Sequence, residues 1–420
     1  MNMKRSLLLL TAIFMTGCSL NKGYYYDTLV LSLFGTGNGY TNIKVEADVP
    51  LISPFDTSIS IWMYNDVKQF EDYSEEFNAN FQNLHAYFDS NYLYTIDSEY
   101  INNLKVINNK YGTGEFIKVP DELYDILKVS VDLTKISKGK FNVAVGSLSS
   151  LWDRYIEIGQ YRENLIYVAP TQEEITSALS AVPSYEKIDE IIEFNDEEKT
   201  VRINTLEGAK ENVRLTLGAI GKGYAVKKME EILDNKVKGY ISGGESSIAM
   251  LSSAPNKTWS LSLRNPVHMI KSNKEGILNT GYNPSELLFS RNGVYSFSTS
   301  GNYNNFYTDE NNNLYHHIID PITGYPSTHF ATVAAVCNDS TYADAITTAL
   351  MTMTLEEGKT FIKQLKELYG LEIEPIWMIQ NNDKVEVKAA SSLKNELKLD
   401  KGNYLNKYIT TIEFIEINDN

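Results

Sequence analysis

"YHHIIDPITGYP", residues 315–326, places two adjacent histidines at the end of an apolar run and then turns the chain at Asp320-Pro321 and Thr323-Gly324. Asp, Pro and Gly in this order are turn residues, with Gly324 free to take a positive φ angle. The stretch therefore reads as a strand that runs into a turn. Successive strand residues face opposite ways, so His316 and His317 must occupy different environments. With five histidines in 420 residues, setting two side by side marks the segment as a candidate site.

The flanking chain gives the fold class. Upstream, "KGYISGGESSIAML", "WSLSLRNP" and "GVYSFSTSGNY" read as strands and turns. Downstream, "TYADAITTALMTMTLEEGKTFIKQLKELYG" predicts two helices, followed by strands at 371–380 and 384–389 and a last β-like run, "YITTIEFIEI". Nearer the start, "TLVLSLFGTGNGYTNIKVEADV" reads as a hairpin. Phe70, Tyr73, Phe77, Phe81, Leu84 and Phe88 fall on one face of a helix predicted across 66–107. A further helix is predicted at about 120–137, opening at Pro120 with two acids, and another begins with the Thr-x-x-Glu capping box at Thr171. Strands and helices without regular βαβ alternation imply one large α+β domain.

The first residues, "MNMKRSLLLLTAIFMTGC", have a basic start, an apolar run and small residues before Cys18, the anatomy of a signal peptide over 1–17. "MTGC" resembles the bacterial lipobox. On that reading Cys18 becomes a lipid-bearing N-terminus, residues 18–27 a tether, and the protein sits on the extracytoplasmic side of a bacterial membrane. The one other cysteine, Cys337, lies in an apolar β-like run as a buried thiol, so the core alone must hold the chain together. A net charge of −16 repels phosphate backbones and excludes nucleic acid as a partner. A small anion remains possible where local donors or a bound cation invert the field.

Two segments carry further chemistry. "LGAIGKGYA", 217–225, puts glycines and Lys222 ahead of a helix, a setting that suits phosphate. It is not a Walker loop, because Thr216 stands where its first glycine belongs and Gly223 where Ser or Thr should follow the lysine. In "ADAITTAL", 343–350, Asp344 and Thr348 are four apart and share one helical face. Either they offer oxygens to magnesium, or Asp344 caps a helix while Thr348 bonds back to the preceding turn.

The order "GAIGKGYA", "ISGGES", "STSGNY", "HHIIDPITGYP", "ADAITTAL" resembles the FAD:protein FMN transferase family, the ApbE-like flavin transferases. "FGT" at 34–36, "YTIDSE" at 94–99 and "GKFNVAVGSLSSLW" at 138–152 look like its earlier motifs. The resemblance implies a single T-fold-like domain over 28–390, of mixed, largely antiparallel sheets with flanking helices, and an extension, 391–420, packed on it. It implies FAD as substrate, Mg²⁺ held by the Ala219 carbonyl, Asp344 and Thr348, and His317 as general base. The implied reaction joins FMN to a Thr or Ser hydroxyl of an exported flavoprotein acceptor and releases AMP. Implied flavin contacts are Phe34, Tyr94, Phe141, Asn142, Thr216, Lys222 and Ile318. The chain departs from the family pattern at Phe34, usually methionine, at Asn142 and Thr216, usually aspartates, and at Glu245. Two other activities fit the same residues: an FAD pyrophosphatase and a non-catalytic FAD-binding lipoprotein.

Overall fold

The computed structural model describes residues 29–36, 40–47, 59–63, 67–96, 99–161, 169–233, 238–244, 246–252, 258–274, 285–400 and 408–417. Cys18, the signal segment and Glu245 lie outside the described residues, and so does the side chain of Phe34. The fold is the expected α+β arrangement of mostly antiparallel sheets with flanking helices.

A ten-stranded sheet runs through the described residues. Its order is Leu29–Thr36, Tyr40–Ala47, Ile59–Met63, Gly239–Gly243, Ser247–Met250, Tyr295–Gly301, Thr332–Cys337, Ile373–Asn381, Lys384–Ala390 and Ile409–Ile415. Neighbours are antiparallel except the last pair, which is parallel. The strand Thr332–Cys337 is buried at every position, because both faces of the sheet are covered. Val333, Ala335 and Cys337 join one hydrophobic core with the helices, whereas Ala334 and Val336 join another. The two-residue period of a strand makes this division. Behind the second core lies a small sheet of Trp259–Arg264, Ser285–Arg291 and Leu397–Leu399. The chain beyond residue 390 thus contributes one strand to each sheet. Burial pushes the Cys337 thiol up to about 12, so it stays protonated.

The helix expected across 66–107 is shorter, Val67–Phe88. Asp89 Oδ1 accepts the amides of Asn91 and Tyr92, a side-chain turn that competes with further helix, and a separate short helix, Leu104–Asn109, follows. The expected capping box is present at Thr171 and Glu174.

Two helices position the site. Gly221–Leu233 and Ser340–Met351 pack side by side on the helical face of the sheet. Their approach depends on Gly223, where a Cβ would lie 2.2 Å from the Ser340 carbonyl and 2.6 Å from the Asp344 Cβ. Backbone on a packed helix cannot yield that distance cheaply. We therefore expect Gly223→Ala to cost about 3 kcal/mol by overpacking in urea unfolding. Gly218→Ala, whose Cβ would meet only the Thr216 hydroxyl at 3.7 Å, should cost less than about 1 kcal/mol.

Candidate active site between the glycine turn and the histidine loop

The turn 218–220 delivers the chain into the helix Gly221–Leu233, with the Leu217 carbonyl accepting Ile220 N–H at 3.1 Å and Gly221 N–H at 2.8 Å. The first amides of a helix lack intrahelical partners. Gly223 N–H finds one in Asp344 Oδ2, 2.9 Å away on the neighbouring helix. Asp344 does not cap its own helix. Asp339 does that, accepting Thr341 N–H at 2.8 Å and Tyr342 N–H at 3.2 Å.

Asp344 is 4% exposed. Burial pushes its carboxyl up from the usual carboxylate range, opposed by the charge of Lys222 and by hydrogen bonds from Gly223 and Ser247. A carboxylate enclosed in this way is stabilised by a second positive charge. Its surroundings are oxygens: Thr348 Oγ1 lies 3.4 Å from the Asp344 carbonyl and 3.2 Å from Ser300 Oγ. Thr348 thus shares a face with Asp344, with its hydroxyl within reach of its own helix and of the neighbouring strand. Among the described residues no group of three or more His, Cys, Asp or Glu side chains could hold a metal. One carboxylate among hydroxyls is a hard, sparse donor set. It fits a magnesium ion completed by water and phosphate oxygens, and it does not suit zinc or copper.

The histidine loop faces the same region. The strand Leu314–His316 stops one residue before His317, and an Ile319–Pro326 bridge closes the turn. Asp320 Oδ1 accepts Ile322 N–H at 2.9 Å, and Lys140 Nζ sits 3.1 Å from Oδ2. Gly324 takes φ 78°, and its carbonyl accepts the Trp152 indole N–H at 2.8 Å. The two histidines part company where the strand ends, His317 lying at the bend that follows it. His316 is 2% exposed; its Nε2–H donates to the Ser327 carbonyl at 2.8 Å and its Nδ1 accepts Ile318 N–H at 3.2 Å.

His317 is exposed. Its Nδ1–H donates to the Asn305 carbonyl at 3.2 Å, which leaves Nε2 as the acceptor. Desolvation, with His316 and Lys222 nearby, pushes this imidazole down to about 4. A ring with an open edge is less desolvated than the enclosed His316, so the direction carries the argument: His317 is neutral at pH 7. Lys222 acts electrostatically on both Asp344 and His317, which links the glycine turn to the histidine loop.

A cleft of about 600 Å³ opens beside the turn, lined by His85, Asp89, Tyr92, Arg214, Thr216 and Gly218 among others. Tyr94 is buried under it, with its hydroxyl 2.5 Å from Asp89 Oδ2 and 3.2 Å from His85 Nε2. Thr216 N–H donates to the Val143 carbonyl at 2.8 Å, so the segment of Phe141 and Asn142 adjoins the cleft. Phe141 is packed in the core. The Asn142 amide is committed to structure, donating to the Pro183 carbonyl at 3.0 Å and accepting Ala144 N–H at 2.9 Å. Ile318 is buried behind His317, and Phe34 lies on the edge strand opposite Asn42. Sequence reasoning missed His85, Asp89 and Arg214; no local motif flags them, and the fold brings His85 and Asp89 to Arg214 and Thr216, which are near neighbours in the chain.

Residues 55–371 match the model of the ApbE family. The chain belongs to that family. A Vibrio cholerae protein named FAD:protein FMN transferase is 26% identical over 290 residues, covering 68% of this chain and 75% of its own length. One from Haemophilus influenzae with the same name is 27% identical, covering 62% and 67%. Among solved structures, the flavin transferase ApbE from Vibrio cholerae aligns with a TM-score of 0.58 at 21% identity over 88% of this chain and 100% of that one. The ApbE protein of Thermotoga maritima aligns at 0.59 and 21%, over 83% and 95%. These structural matches show that the ApbE fold spans most of the chain.

The neutral, enclosed His316 has a measurable consequence. Burial pushes it down to about 4 from 6.5, so between those values the unfolded chain binds a proton that the folded chain refuses. Stability is present above pH 6.5 and falls as pH drops towards 4. From pH 7 to pH 5 His316 alone should remove about 2 kcal/mol. Unfolding free energies from urea titrations of the parent and His316→Gln at both pH values should differ by that amount in their pH dependence.

Proposed function

We propose that the protein is an FAD:protein FMN transferase that uses Mg²⁺ and modifies a Thr or Ser hydroxyl of an exported flavoprotein. One observation carries the reading within the ApbE family. An enclosed Asp344 carboxylate among hydroxyl oxygens and a neutral His317 are both within electrostatic reach of Lys222. Asp344, Thr348 and the Ala219 carbonyl would hold the cation. When bound, Mg²⁺ offsets negative charge on the pyrophosphate oxygens.

The chain's own residues do the rest. The acceptor hydroxyl oxygen attacks the FMN phosphorus, the phosphoanhydride bond breaks, and AMP departs. The hydroxyl proton passes to His317 Nε2, which is free because Nδ1–H is held by Asn305. Lys222 adds a fixed positive charge beside the phosphates. The cleft at Thr216 and the adjoining Phe141, Asn142 and Tyr94 would receive the flavin nucleotide, with Ile318 and Phe34 completing its surroundings. A neutral residue at Thr216, in place of an acid, would lower the negative charge met by FAD. Cys18 would carry the lipid that holds the enzyme outside the membrane facing its acceptor.

The test mixes protein beginning after Cys18 with FAD, Mg²⁺ and an acceptor flavoprotein domain, and follows the products by mass spectrometry. A gain of one FMN on the acceptor and free AMP are expected, and chelation should stop both. His317→Ala should lower the rate by about 10²–10⁴-fold, and Asp344→Ala should abolish transfer. Full activity in Asp344→Ala would refute the reading. Free FMN and AMP over an unmodified acceptor would assign a pyrophosphatase, and intact FAD a binding protein.

A further inference from the structure

Three hydroxyls beside Asp344 have no part in the reaction above: Ser298, Ser300 and Thr347. Ser298 and Ser300 lie two apart on the strand Tyr295–Gly301, so both turn to the face covered by the helix Ser340–Met351. Thr347 is fully buried and Thr348 half-buried. Thr347 Oγ1 lies 3.0 Å from the Asp344 carbonyl, and Ser300 Oγ lies 2.9 Å from Thr347 Oγ1 and 3.2 Å from Thr348 Oγ1. Ser298 is already committed, donating to the Ser246 carbonyl at 2.9 Å.

Each hydroxyl has one proton, so the donors can be assigned in turn. The Asp344 carbonyl takes the proton of Thr347, its nearer hydroxyl. Thr347 oxygen then accepts from Ser300. With its proton used, Ser300 accepts from Thr348, which is nearer to it than to the Asp344 carbonyl at 3.4 Å. The result is a directed chain, Thr348 to Ser300 to Thr347 to the Asp344 carbonyl. It fixes the Thr348 proton on the serine side and leaves the lone pairs of its oxygen free.

We infer that Ser300 is a positioning residue: with Thr347 it holds the Thr348 hydroxyl so that its lone pairs face a divalent cation shared with Asp344. The inference rests on the metal reading proposed above. Without Ser300, Thr348 keeps only the longer back-bond to its own helix and its hydroxyl can rotate. A threonine at 300 restores the hydroxyl, and β-branching suits a strand.

The test titrates Mn²⁺ into the full-length protein, follows free Mn²⁺ by electron paramagnetic resonance, and records thermal unfolding alongside. Loss of a group that orients a ligand costs 10–100-fold in metal affinity. Ser300→Ala should therefore raise the Mn²⁺ Kd by about tenfold or more with little change in Tm, and Ser300→Thr should return it to near the parent value. In turnover, Ser300→Ala should need more Mg²⁺ yet approach the parent kcat at saturation. If Asp344→Ala abolishes binding while Ser300→Ala leaves Kd unchanged, the inference fails and the metal reading stands. If Ser300→Thr binds as weakly as Ser300→Ala, the serine serves packing and the inference fails. Mn²⁺ binding that survives Asp344→Ala overturns the metal reading and the inference with it.

Discussion

The bond from Gly223 N–H to Asp344 Oδ2, 2.9 Å long, is the contact on which the rest of the site depends. It joins the start of one helix to the middle of another, and it forms only because residue 223 has no side chain. The same contact satisfies an orphan helix amide and fixes a buried carboxylate. It also sets the turn carrying Ala219 and the helix carrying Thr348 at a definite separation. Ser340 strengthens the junction by donating its hydroxyl to the Gly223 carbonyl at 3.0 Å. Helix packing and chemistry here share one requirement: close approach of two backbones.

The histidine loop solves a different problem. A side chain that is to accept a proton must be held in one tautomer and remain reachable. His317 meets both conditions, since Asn305 fixes Nδ1 and the ring keeps an exposed edge. His316, one residue earlier, is enclosed and ties the loop to Ser327 and Ile318. Asp320, Lys140 and Trp152 then pin the far end of the turn. The loop is therefore rigid where it holds the catalytic candidate, although it has little regular secondary structure.

The positions at which the chain departs from its family pattern are not equivalent in the fold. Asn142 is a structural amide, spent on Pro183 and Ala144. Thr216 lines the cleft, where its half-buried hydroxyl accepts Gly218 N–H at 3.4 Å. A change at 142 therefore acts through the shape of the turn, and one at 216 acts on whatever occupies the cleft.

Much was legible in the sequence because it is local. The Asp-Pro-x-Thr-Gly turn, the capping box at Thr171 and the apolar β-like run that holds Cys337 follow from neighbouring residues and from local periods. The helix expected through 107 misled because apolar spacing does not register the Asp89 side-chain turn. Spacing also left Asp344 open between cap and ligand, and only the structure shows that the helix it caps is the other one. His85 and Asp89 met Arg214 and Thr216 without any motif, and Ser300 met Thr347 from a different element. By itself the sequence determined which residues could turn, cap, alternate and titrate. Tertiary structure decided which of them meet, because contacts between residues distant in the chain are set by how the sheet and helices pack, and no local period encodes that.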